Sequence, residues 1–88
     1  MTARIVERAA LRFTPAGLPV LDVSLRHESE ASQPGSVRKL AFEIRGRAIG
    51  AVTEVLQRAE LGVEFSFAGF LGSQRNGRGI VFHIQTIV

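Results

Sequence analysis

From Leu18 onward the chain keeps alternating apolar and polar residues, and this period of two confines most of it to strands that each bury one face. Leu21, Val23 and Leu25 stand against Asp22, Ser24 and Arg26. In "VRKLAFEIR", Leu40, Phe42 and Ile44 stand against Lys39, Ala41, Glu43 and Arg45. "VEFSFAGFL" sets Val63, Phe65 and Phe67 inward, and "GIVFHIQTIV" sets Ile80, Phe82 and Ile84 against Val81, His83 and Gln85. One segment breaks the rule. In "RAIGAVTEVLQRAELG", Ile49, Val52 and Leu56 recur at spacings of three and four, with Val55 and Ala59 beside them and Gly62 as the stop. That is the period of a short helix, which needs tertiary packing to hold. Ahead of these runs, "TARIVERAALRFTP" is a bent strand or a helical turn, and "TPAGLP" is a tight turn with Gly17 free to take positive φ. "HESEASQPGS", from His27 to Ser36, reads as a ten-residue polar loop.

The order is therefore three strands, a helix, and two strands. This is the element order of the OB-fold, a five-stranded Greek-key barrel whose helix plugs one end. An SH3-like barrel is the nearest rival, and the position of the helix decides against it. At 88 residues the chain is expected to form a single domain, 1–88, and to gain stability as a homodimer, because a domain this small buries only a modest share of its surface. It has no cysteine, so no disulfide or thiolate metal site supports it. No apolar run approaches the roughly 20 residues of a membrane span, and the N-terminus lacks the apolar core of a signal peptide. No membrane association and a cytoplasmic location are expected.

Little in the sequence suggests catalysis, and no metal or cofactor is expected. His27 begins "HESE", which is not H-E-x-x-H and opens a loop. His83 reads as a hydrogen-bonded surface or interface residue, and Glu28 and Glu30 as solvated. There is no G-x-S-x-G motif. "GSQRNGRG" lacks the G-K-[ST] ending of a P-loop and precedes a strand, so it offers no helix N-terminus to a nucleotide.

Charge points to a polyanion. The net charge is +3, and ten of the eleven basic residues are arginine; such a balance favours nucleic acid. Asn76-Gly77 is a strong hairpin-turn signal, and Arg75 and Arg78 flank it. Alone, these arginines could be a solubilising device. Between the last two strands of an OB-fold they frame the nucleic-acid groove. The loop at the other rim carries Arg12 and Phe13. Arg26, Arg38, Lys39 and Arg45 add charge on the second and third strands, whose face binds oligonucleotides in this fold. A salt-sensitive grip on a phosphate backbone follows. Phe42, Phe65, Phe67 and Phe82 follow the inward alternation, which leaves Phe13 and Phe70 as the candidates for base stacking.

"LRFTPAGLPVLDVSLRHES", "RKLAFEIRGRAIG" and "GFLGSQRNGRGIVFHIQTI" together resemble the primosomal replication protein N, or PriB, family over essentially the whole chain. The resemblance implies a homodimeric, non-enzymatic OB-fold protein that binds single-stranded DNA during restart of stalled replication forks. It further implies partnership with the restart helicase PriA and, in some bacteria, with DnaT. The family's basic contacts match Arg38 on the third strand and Arg75 and Arg78 in the last hairpin. Several positions depart from it. Ala41 stands where better-known relatives have tryptophan, Ser36 lies near another aromatic position, and Glu28 replaces a basic residue. The hairpin is shorter and so is the N-terminus, so the first strand, or the dimer edge it helps form, is expected to be incomplete. Weaker stacking and a less basic groove imply lower DNA affinity. Two other readings compete: an adaptor that stimulates the helicase with weak DNA contact, and an OB-fold RNA binder.

Overall fold

A computed structural model describes residues 1–74 and 79–88, with the side chains at 31–33 and 36–38 left out of the description. The elements are β1 (Thr2–Arg8), β2 (Arg12–Phe13), β3 (Pro19–Gln33), β4 (Ser36–Ile49), α1 (Val52–Arg58), β5 (Glu64–Ser73) and β6 (Ile80–Ile87). Among the described residues, the two-residue β2 pairs only with the start of β3. The other five strands close a ring: β1 joins β3, β3 joins β4, β4 joins β6 in parallel, β6 joins β5, and β5 returns to β1. This is the expected five-stranded OB barrel. β1 pairs on both sides, with β3 and with β5. The turn between β2 and β3 is also as expected, with Gly17 at φ 87 and the Gly17 N–H donating to the Thr14 carbonyl at 2.8 Å.

The core forms where alternating faces converge. Leu21, Val23 and Leu25 of β3 are buried against Ile5 of β1, Ala48 of β4, Phe67 of β5 and Ile84 of β6. Leu56 and Ala59 close one end of the barrel. α1 is shorter than its sequence pattern. Gly50 takes φ 87 and ends β4, so the helix begins at Val52. Ile49 therefore belongs to the strand and is exposed, Val55 faces solvent, and Thr53 is buried instead. The Arg8 guanidinium donates to the carbonyls of Leu56 and Ala59 at 3.1 and 2.8 Å. It thus satisfies the last turn's free acceptors with a charge that suits the helix dipole.

The largest departure from expectation lies between His27 and Ser36. There is no ten-residue loop: β3 and β4 stay paired in register from Val20↔Ile49 out to Gln33↔Ser36. Pro34-Gly35 makes the turn, with Gly35 at φ 84, the combination that a type II turn favours. β1 covers β3 only between Val23 and Arg26, and β6 covers β4 only between Arg45 and Ala48. Beyond those limits the hairpin is a two-stranded arm standing clear of the barrel. It accounts for a long axis of 54 Å against 30 and 18 Å, since fifteen extended residues span roughly 50 Å.

The arm changes the fate of residues assigned inward by alternation. Leu40 and Phe42 lie on the core-facing side of β4 but are 55% and 39% exposed. Phe42 packs against His27 at a centroid distance of 5.1 Å, and His27 Nδ1 lies 2.6 Å from the Thr2 carbonyl oxygen. On β5, Val63 precedes the strand and is exposed, Phe65 is half-buried and Phe67 is fully buried. On β6, Phe82 and Ile84 are buried as expected, but Ile80 is exposed and Val81 is buried in its place.

Candidate nucleic-acid interface

In the barrel's register the polar side of β3 and β4 makes one outward surface. Asp22, Ser24, Arg26, Glu28 and Glu30 of β3 lie opposite Arg47, Arg45, Glu43, Ala41 and Lys39 of β4. Among the described residues, Arg26, Lys39 and Arg45 of the expected site share this surface. Arg12 reaches it from β2 by donating to Asp22 Oδ2 at 2.7 Å. Phe13 is beside it and 63% exposed. Arg75, Asn76 and Arg78, with the Asn76-Gly77 turn, lie outside the described residues, as does the side chain of Arg38.

The pairing chemistry divides these residues. Asp22 sits between two arginines, taking a bond from Arg47 Nε at 2.8 Å and one from Arg12 Nη1 at 2.7 Å. Burial pushes its pKa up, but the bonds from Arg47 and Arg12 outweigh that and hold the carboxyl below its ordinary value. Arg26 donates to Glu28 at 2.8 Å and reaches Glu43 at 3.5 Å. The Arg26 bond holds Glu28 below the usual carboxylate range, and the same bond raises the pKa of Arg26. Arg12 and Arg26 are thus already partnered. Among the described residues, Lys39 and Arg45 have no carboxylate within 4.0 Å.

The consequence is a balanced surface. Asp22, Glu28, Glu30 and Glu43 oppose Arg26, Lys39, Arg45 and Arg47 on the outward side of the two strands. Where the arm leaves the barrel, a hollow of about 490 Å³ is balanced too, with Arg4, Arg26 and Lys39 against Glu28, Glu30 and Glu64. A face of this kind attracts a polyanion weakly, because each phosphate contact must compete with a carboxylate already in place.

Two features of the surface were not assigned from sequence. Arg47 is one, although its spacing of two from Arg45 placed it on the same side. The other is His83 on β6, whose partner lies on β5. His83 stacks on Phe70 with centroids 4.9 Å apart and planes 17° from parallel. Phe70 is 53% exposed, as its escape from the inward pattern suggested. For His83 the described contact is this stack, where a hydrogen-bonded residue was expected.

The fold and its relatives agree. The profile described as "Another single-strand binding protein family" matches residues 1–86. The Replication restart protein PriB of Bordetella pertussis is 36% identical over 86 residues, covering 97% of this chain and 80% of that one. Its namesake from Neisseria meningitidis serogroup B is also 36% identical, over 97% of this chain and 86% of its own. The solved structure of PriB from Ralstonia solanacearum superimposes with a TM-score of 0.88 at 31% identity, covering all of this chain and 90% of that one. The single-stranded DNA-binding protein of Thermus aquaticus shares the barrel at a TM-score of 0.77, with 23% identity and 46% of its length covered. With a closed five-stranded barrel and a family match running through every strand of it, the chain belongs to the PriB family of OB-fold single-strand-binding proteins.

Proposed function

We propose that this protein is a non-catalytic accessory of replication restart that binds single-stranded DNA as a homodimer and stimulates the restart helicase PriA, with DnaT as a further partner. The observation that carries the reading is a family match extending over the whole barrel, including the two strands whose outward face serves oligonucleotides in this fold. The DNA grip is assigned to Lys39 and Arg45 on that face, together with Arg38, Arg75, Asn76 and Arg78. Arg12, Phe13 and Arg26 border the path. Arg12 and Arg26 contribute less, because Asp22 and Glu28 already engage them.

The balanced outward surface also favours a second reading, an adaptor that stimulates the helicase while touching DNA only weakly. A salt titration of binding to oligo-dT and to duplex DNA, with the oligomeric state measured in parallel, tests both. Each phosphate contact contributes about 0.7 to the log–log salt slope for a single strand. Replacing Arg75 and Arg78 together by alanine is expected to flatten the slope by roughly 1.4. Unchanged affinity at low salt in that variant removes the hairpin from the site. PriA stimulation that survives loss of all DNA binding supports the adaptor, and preference for structured RNA overturns the DNA reading.

A further inference from the structure

The outward rows of the barrel continue past β4. Parallel pairing of β4 with β6, and antiparallel pairing of β6 with β5, put Asp22, Arg47, His83 and Phe70 in one transverse row. Ser24, Arg45, the buried Val81 and Gly72 form the next. In the first row Arg47 is engaged by Asp22, and the row ends in the His83–Phe70 stack. In the second, Arg45 has no carboxylate within 4.0 Å among the described residues, and its neighbours towards β5 are apolar or lack a side chain.

From this juxtaposition we propose that the stacked Phe70–His83 pair is a nucleobase-stacking subsite, with Arg45 as the phosphate contact on the neighbouring row. The proposal rests on the single-strand-binding reading above and adds to it a base contact away from the β3–β4 arm. Its geometry suits a single strand crossing the sheet. The backbone positions of Phe70 and Arg45 lie roughly 12 Å apart, two strand spacings across and one residue pair along. The stack also depends on the residue beside it. A Cβ on Gly72 would come within 2.9 Å of His83 Nε2, so a larger residue there would have to shift the imidazole that stacks on Phe70. With the ring backed by imidazole, a base meets a platform whose orientation is already set, and less freedom is lost on binding.

Binding of oligo-dT is compared with binding of an equally long deoxyribose-phosphate oligomer that lacks bases. Phe70→Ala is expected to lower oligo-dT affinity on the order of 10-fold, to leave the abasic oligomer unaffected, and to keep the salt slope unchanged. Gly72→Ala, which touches no ligand, is expected to reproduce part of that loss by displacing His83. Phe70→Trp restores or improves binding. Arg45→Ala does the converse: it weakens both oligomers alike and flattens the salt slope by about 0.7. Phe70→Leu serves alongside Phe70→Ala, with thermal unfolding as the check that the fold is intact. Wild-type affinity of both Phe70 variants for oligo-dT overturns the subsite while leaving the single-strand reading in place. Self-association lost in those variants with DNA binding intact also overturns it and reassigns the ledge to a protein contact. If the unmodified protein binds neither oligomer, both readings fall.

Discussion

β3 and β4 run through two regions that differ in everything except their sequence pattern. Inside the barrel, Leu21, Val23 and Leu25 are at most 3% exposed. In the arm the same alternation continues through His27 and Ser29, opposite Phe42 and Leu40, yet those apolar side chains face solvent. The register does not change and no residue is inserted. What changes is the neighbour, because β1 and β6 stop and the ribbon runs on alone. Alternation decides which face a residue occupies; a third strand or a helix decides whether that face is dry.

Truncating one phenylalanine from each region gives the sharpest break. Phe67, 1% exposed between β1 and β6, leaves a cavity when replaced by alanine, and Phe67→Ala is expected to cost about 3–5 kcal/mol. Phe42→Ala removes a half-exposed ring touching His27 and is expected to cost less than about 1 kcal/mol. Chemical denaturation of the two variants side by side measures the gap. Equal losses would mean that the arm is packed in solution, with a second copy of the chain as the obvious cover.

The same contrast explains what the sequence could and could not disclose. The inward triad of β3, the helix between the third and fourth barrel strands and the Gly17 turn were legible because each depends on local periodicity or a single backbone constraint. The arm was hidden because "HESEASQPGS" is polar, and polarity in a two-stranded ribbon is indistinguishable from polarity in a loop. Gly50 was placed within the helix when it is the residue that ends β4, since glycine interrupts both periods alike. In the site, alternation put Arg26, Lys39 and Arg45 on one face. It could not reveal that Glu28 already holds Arg26, nor that His83 lies behind Phe70, because both facts depend on contacts across strands or along a face.

A smaller effect separates the ion pairs of the two regions. Asp22 belongs to the barrel, partly buried between Arg47 and Arg12. Its carboxyl is held below the ordinary value in the folded chain, so the stabilisation is fully present above the unfolded pKa and is lost as pH falls through the folded one. Asp22→Asn is expected to cost about 1 kcal/mol at neutral pH. The gap from the unmodified protein should close below about pH 4, where the unfolded carboxyl protonates. Thermal unfolding across pH follows this directly. A gap that stays constant with pH would assign the loss to packing and not to charge.

The pair at the base of the arm, Arg26 with Glu28, should behave in the opposite way. Both side chains are largely open to water, at 42% and 51% exposure, where screening and side-chain entropy cancel most of an ion pair's value. Glu28→Gln is therefore expected to leave the melting temperature unchanged. It nevertheless leaves Arg26 with the longer 3.5 Å contact to Glu43 in place of its 2.8 Å bond to Glu28, on a surface whose charges otherwise balance. If single-stranded DNA crosses that surface, one further phosphate contact becomes available, and the salt slope for oligo-dT should steepen by about 0.7 with affinity rising most at low salt. A melting temperature that drops with no change in slope would make the arm a structural element like the barrel. A steeper slope at constant stability would mark it as a region where carboxylates limit DNA binding without contributing to the fold.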